Sequence, residues 1–193
     1  MKRFSLAVAA ACLVLAAASA DAQSTWSLDV RAGPAFPVQD LGAAELETGF
    51  GLEGTIAYRF APHLAAYGGW DYHTFGTEDG TDTDVDETGY AFGLRFEHPF
   101  SGETGSGPAL RLRAGGTYNH IEVENADGDS VADSGHGLGW EAGAGVTFAI
   151  GESVRLSPGV RYRALSRDLT IDEVTTDVDL RYLAAEVGVT WSF

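Results

Sequence analysis

The chain has 193 residues, 21% of them charged, one cysteine and a formal net charge of −16. That length suggests one domain, and strong acidity with no basic patch excludes nucleic acid as a partner. No apolar run reaches the ~18 residues of a membrane-spanning helix.

The first element is a leader. Lys2 and Arg3 precede the apolar stretch 4–20, and both Ala18-Ser19-Ala20 and Ala20-Asp21-Ala22 fit an A-x-A cleavage site. This reads as a signal peptide over 1–22, removed after Ala22, with the folded domain at 23–193. Cys12 lies inside it. As a lipid-acceptor cysteine it would interrupt the apolar core, so that reading is set aside. The mature chain then has no cysteine, hence no disulfide framework, and its only lysine leaves with the leader.

After the leader the chain alternates with a period of two over 26–36, 49–60, 64–74, 89–98, 109–120, 137–150, 154–164 and 182–193. This is the pattern of strands with two unlike faces. One phase carries Trp26, Trp70, Trp140 and Trp191 with Tyr58, Tyr72, Tyr90, Tyr118, Tyr162, Phe36, Phe50, Phe60, Phe92, Phe96, Phe148 and Phe193. The other is Gly, Ala, Ser, Thr, Arg and Glu. Eight strands close into a barrel whose interior just holds side chains. So many rings would not fit there, whereas a glycine-rich face would. The rings therefore face out, into lipid, which predicts an all-β, eight-stranded, closed antiparallel transmembrane barrel. A soluble lipocalin-like barrel would need the apolar phase inside. It would also carry both signs of charge on its wall.

Connections support this. Those at 61–63, 101–108 and 151–153 are short, and those at 37–48, 75–88, 121–136 and 165–181 are long. Three short turns and four long loops are what an outer-membrane barrel with both termini in the periplasm requires. The rings also sort by height. Trp26, Tyr58, Phe60, Phe96, Phe148, Trp191 and Phe193 fall near the short turns. Phe36, Phe50, Trp70, Tyr72, Tyr90, Tyr118, Trp140 and Tyr162 fall toward the long loops. Val30, Ile56, Leu94, Leu112 and Val160 lie between them, so two aromatic belts flank an aliphatic band. Pro158 sits mid-strand, where a bulge is expected.

At this point the chain resembles the small OmpA-like and opacity-type outer-membrane β-barrels, the porin-family barrel proteins. The resemblance rests on Arg31-Ala32-Gly33-Pro34-Ala35-Phe36-Pro37, on Tyr58-Arg59-Phe60-Ala61-Pro62-His63-Leu64 and on the C-terminal Val187-Gly188-Val189-Thr190-Trp191-Ser192-Phe193. It implies bacterial outer-membrane localisation and a mostly structural or adhesive role. It also implies a signal to the barrel-assembly machinery in the last strand, carried by Val187, Val189, Trp191 and Phe193.

Three groups could carry chemistry. The lumen phase holds Arg31, Arg59, Arg95, Arg111, Arg113, Arg155, Arg161 and Arg163, with Asp29, Glu53, Asp71, Glu97, Glu141 and Glu186. An ion pathway is one reading. A plug of salt bridges weighs more, because an unpaired charge in so narrow a lumen is expensive. Glu53, Glu141 and Glu186 are expected to pair with arginines. Second, Asp71 and His73 share the lumen face of one strand and are expected at its outer rim. They could orient a general base, but i and i+2 neighbours stand ~7 Å apart, and no Gly-x-Ser-x-Gly motif accompanies them. Third, the acidic stretches 78–87 and 124–129 offer Asp82, Asp84, Asp86, Asp127 and Asp129 as hard-cation ligands. The EF-hand pattern fails, with Glu87 at its glycine position, so solvated loops are the simpler reading. Arg167 and Arg181 are placed among those acidic loops.

The expected function is that of an integral outer-membrane barrel with a structural or surface-interaction role, non-enzymatic and without a cofactor. Its expected partners are outer-membrane lipid and lipopolysaccharide, the assembly machinery, and divalent cations or host surface molecules. A narrow pore and a lipid-modifying enzyme are the alternatives.

Overall fold

A computed structural model describes residues 25–42, 44–77, 83–100, 107–171 and 174–193, with the side chains of 169–171 and 174 left aside. The expected signal peptide and Asp82 lie outside the described residues. The strands are β1 (Trp26–Pro37), β2 (Gly49–Ala61), β3 (Leu64–Gly76), β4 (Asp84–Pro99), β5 (Ala109–Glu124), β6 (Ser130–Asp133), β7 (Gly137–Ala149), β8 (Val154–Ile171) and β9 (Val174–Ser192). Neighbours run β4-β3-β2-β1-β9-β8-β7-β5, and β4 pairs with β5 to close the ring. Eight antiparallel strands thus form a closed barrel. The short β6 pairs only with the outer end of β5.

The lumen phase is glycine-rich for a visible reason. A Cβ on Gly51 would lie 2.1 Å from the His73 ring, and one on Gly93 or Gly115 would lie 2.7 Å from the Tyr67 hydroxyl. Glycine leaves the space these two side chains fill. The opposite phase faces away from the barrel. Trp26, Phe60, Trp70, Tyr90, Trp140 and Phe148 are exposed there, as are the aliphatic Val30, Ile56, Leu94 and Val160. Trp70, Tyr90 and Tyr118 stand opposite one another across β3, β4 and β5, one row of the upper belt. Trp26 packs on Tyr58 in the lower belt, ring centroids 4.9 Å apart. Trp140 packs on Tyr162 at 5.3 Å, and Trp70 stacks on Tyr72 at 6.4 Å. Val187 on β9 and Phe193 just after it are exposed, whereas Val189 and Trp191 are half-buried.

Four strands run past the expected boundaries by four residues or more. β4 begins at Asp84 instead of 89, β5 continues to Glu124, β8 to Ile171, and β9 begins at Val174. At 18 residues, β8 is about 60 Å long. Tilted, it climbs well beyond a ≈ 25 Å apolar band. Much of what reads as long loop is therefore strand standing above the membrane.

In that extension the two faces exchange character. The lumen phase becomes apolar, with Phe75, Val85, Ile121, Leu180 and Tyr182 fully or almost fully buried. Leu41 and Leu46 tuck in from the β1–β2 connection to complete the cluster. The outer phase becomes acidic, with Asp84, Asp86, Glu122 and Glu124 paired across β4 and β5. Pro158 makes no bulge. Gly145 stands opposite Gly159 and Phe148 opposite Leu156, so the register is constant across it. The ladder to β7 simply lapses there, because proline has no N–H to give.

Candidate functional site

Between the periplasmic mouth and the apolar cluster, the lumen holds a lattice of arginines and carboxylates in three tiers. Each residue reaches it because it occupies the lumen phase of its strand.

In the lowest tier, Asp29 accepts from Arg31 at 2.6 Å and from Arg111 at 2.7 Å. Arg111 also donates to Glu97 at 2.8 Å and Thr190 at 3.1 Å. Arg95 lies 3.3 Å from Glu97 and donates to Ser27.

The middle tier centres on Glu53 and Glu141, both buried. Arg113 forks onto Glu53 through two nitrogens, at 2.6 and 3.1 Å. Such bidentate pairs fix orientation as well as charge. Arg113 also donates to Glu141, and its guanidinium lies 4.4 Å over the Tyr67 ring, whose hydroxyl donates to Glu141 at 2.7 Å. Arg161 donates to Glu53, to Glu141 and to Glu186. Arg31 reaches up to Glu53 at 3.4 Å and Glu186 at 3.6 Å.

In the upper tier, Arg163 forks onto Asp71 at 2.6 and 3.1 Å, and donates to Glu87 at 2.8 Å and Glu141 at 2.6 Å. Asn119 bridges Asp71 and Glu87, and the Tyr182 hydroxyl donates to Glu87.

Several sequence expectations change here. Asp71 and His73 are not at the rim. Both are fully buried beneath Phe75 and Val85. His73 Nδ1 stands 3.9 Å from Asp71 and 3.7 Å from Glu87, too far for a hydrogen bond. Its Nε2 faces Arg161 at 3.3 Å. The imidazole is packed between Arg161 and the Tyr182 ring, and among the described residues no hydroxyl is hydrogen-bonded to it.

Glu87, assigned by pattern to an acidic loop, is a lumen ligand of Arg163. It shares the phase of Gly89 and Ala91, so extending β4 by one pair finds it. Arg167, also assigned to a loop, is buried. Its guanidinium caps the carbonyls of Asn119, Leu138, Ser166 and Gly137. Arg181 does lie outside, paired with Asp179 at 2.8 Å. Charge patterning does not reveal Tyr67, Asn119, Tyr182 and Thr190, because a neutral lattice partner leaves no trace in it.

Arg59 and Arg155 sit below the lattice. With Arg95, His63 and Glu97 they line a cavity of about 270 Å3 at the periplasmic mouth. Arg155 donates to Thr147 and to the Gly107 carbonyl.

The acidic candidates divide. Asp84 and Asp86 are on β4, and Tyr72 donates to Asp86 at 2.6 Å. Asp127 and Asp129 lie in the β5–β6 turn, their N–H groups held by the Asn125 side chain. No group of metal-ligating side chains among the described residues unites the two pairs.

Comparison with known proteins agrees with the architecture. Neisserial surface protein A superposes with a TM-score of 0.64 at 21% identity, covering 90% of this chain and all of that one. The outer membrane protein OprG from Pseudomonas aeruginosa gives 0.56 at 17% identity, covering 90% and 99%. At these identities the likeness is one of fold. No curated protein matches the chain. Residues 5–193 match the outer membrane protein beta-barrel domain, and with that match spanning nearly the whole chain, this protein belongs to the family of bacterial outer-membrane β-barrels.

Proposed function

We propose that this outer-membrane barrel is a closed, non-enzymatic scaffold. It presents acidic hairpins at the cell surface for contact with lipopolysaccharide, bridging cations or host surface molecules. The observation that carries the reading is the double closure of the lumen. The cavity at the periplasmic mouth ends against the tiered ion pairs, and these end against the apolar cluster of Phe75, Val85, Ile121 and Leu180. A hydrated ion would have to displace both. Function is then left to the outer extensions, where Asp84, Glu122 and Glu124 stand on one hairpin and Asp168, Asp177 and Asp179 on another. The last strand, with Val187, Val189, Trp191 and Phe193, is the segment we assign to the assembly machinery.

The test is conductance. Folded protein in a planar lipid bilayer is expected to give no discrete current steps under applied voltage. Regular voltage-dependent steps from protein whose folding is verified by its heat-dependent gel mobility would establish the narrow pore and overturn the closed reading. Lipid A mass spectra that change when the protein is expressed would overturn the non-enzymatic part.

A further inference from the structure

On the outer wall, above the upper aromatic belt, the β5–β6 hairpin gathers three side chains that the lumen lattice does not use. Glu122 and Asp133 are cross-strand partners, and His120 precedes Glu122 by two residues on the same face. Their donor atoms all lie within 4.8 Å of one another. We propose that His120, Glu122 and Asp133 form a surface site for a borderline first-row divalent cation of the Zn2+ class.

The geometry argues for a metal over a simple ion pair. His120 Nδ1 is 3.3 Å from Asp133 Oδ1, longer than the ≈ 2.7–2.9 Å of a good charge-assisted hydrogen bond. It equals the separation of about 3.3 Å between two ligands of tetrahedral zinc with bonds near 2.0–2.1 Å. His136 stacks on the His120 ring at 4.5 Å, which restricts the plane of the imidazole.

The surroundings are negative, with the Gly135 N–H donating to Asp133 Oδ1 at 2.7 Å and Tyr72 to Asp86. Asp86 stands opposite Glu122 and is only 8% exposed, yet its Oδ1 has no hydrogen-bond partner. Among the described residues no arginine pairs with Glu122 or Asp86.

A similar trio in the lumen, Asp71, His73 and Glu87, is disqualified by Arg163. That guanidinium already occupies both carboxylates. The imidazole is what selects the cation, since Ca2+ and Mg2+ prefer all-oxygen shells whereas Zn2+ takes nitrogen readily.

The experiment is calorimetric titration of untagged, detergent-folded full-length protein with ZnCl2. Folding of each variant is verified by its heat-dependent gel mobility. One saturable site is expected, weakened about tenfold or more by His120→Ala and by Asp133→Asn. Millimolar MgCl2 should not displace the zinc. His98→Ala, which breaks the other histidine pair on the barrel (half-buried His63 and exposed His98, ring centroids 5.2 Å apart), should leave the affinity unchanged. Absence of saturable heat, an affinity indifferent to His120→Ala, loss on His98→Ala, or displacement by magnesium would each overturn the site.

Discussion

The same strands behave oppositely on the two sides of the upper aromatic belt. Below it, β4 presents Leu94 and Phe92 outward and Arg95 inward. Above it, β4 presents Asp84 and Asp86 outward and Val85 inward. The pleat never slips. What changes is the medium outside the wall, from hydrocarbon to water, and each face follows the medium it meets. The consequence inside is a change of cement. Within the membrane the interior is held by charges that have no competing water. Above it the interior is an ordinary apolar core of Phe75, Ile121 and Leu180. The two halves should therefore fail in different ways.

The largest effect is expected in the lattice. Glu141 serves Arg113, Arg161 and Arg163 together. Glu141→Gln keeps the size but withdraws the charge, leaving three buried guanidinium groups short of a counter-ion. Removing one partner of a buried ion pair costs about 3–5 kcal/mol. The midpoint of the heat-dependent gel shift in detergent should fall by roughly 10 °C. An unchanged midpoint would mean that the tiers do not bear the stability of the lumen.

The comparison sharpens on a single face of a single strand. Leu94→Arg puts a charge into the lipid-facing band and should cost about 2–4 kcal/mol near the bilayer midplane. Asp84→Arg lies on the same phase ten residues earlier, above the belt, and should change stability by no more than about 0.5 kcal/mol. Urea unfolding from lipid vesicles measures both. Equal penalties at the two positions would refute the exchange of faces.

This exchange also explains what could be read from the sequence. Fold and in–out assignment were legible wherever rings and aliphatics mark the lipid phase, from Trp26 to Trp191. The reading stopped at residues 75, 89, 121 and 165 because the apolar residues there switch to the other phase, as in Phe75, Val85 and Ile121. A period-two pattern that changes sign looks like the end of a strand. Glu87 and Arg167 read as loop residues for that reason. The lattice charges on the lumen phase could be named one by one, from Asp29 to Glu186. Their tiers could not, since which arginine meets which carboxylate depends on barrel stagger. Pro158 brings no bulge because a missing N–H is not an inserted residue. A ladder can lapse without changing register.

The smallest effect concerns the acidic tip of the β8–β9 hairpin, and its sign is opposite for two neighbouring carboxyls. Asp168 and Asp177 are cross-strand partners. The hydrogen bond and the charge of Asp168 raise the Asp177 carboxyl above its ordinary value of 3.8. A carboxyl whose pKa rises on folding holds its proton more tightly in the folded hairpin. Its favourable contribution is complete in acid, and fades as pH climbs from 3.8 through the raised value. Asp179 runs the other way. The Ser166 hydroxyl and then Arg181 lower it, so its contribution is present at neutral pH and is lost as pH falls below 3.8. Hydrogen exchange of the β8–β9 amides across the acid range should show protection by Asp177 growing as the pH drops, against a loss from Asp179. Asp177→Asn should remove only the first. It leaves a hairpin that loosens steadily in acid while the lattice beneath, shielded by Phe75 and Leu180, keeps its protection. If Asp177→Asn and wild type trace the same profile, Asp168 does not raise the Asp177 carboxyl, and the hairpin responds to pH through Asp179 and Arg181 alone.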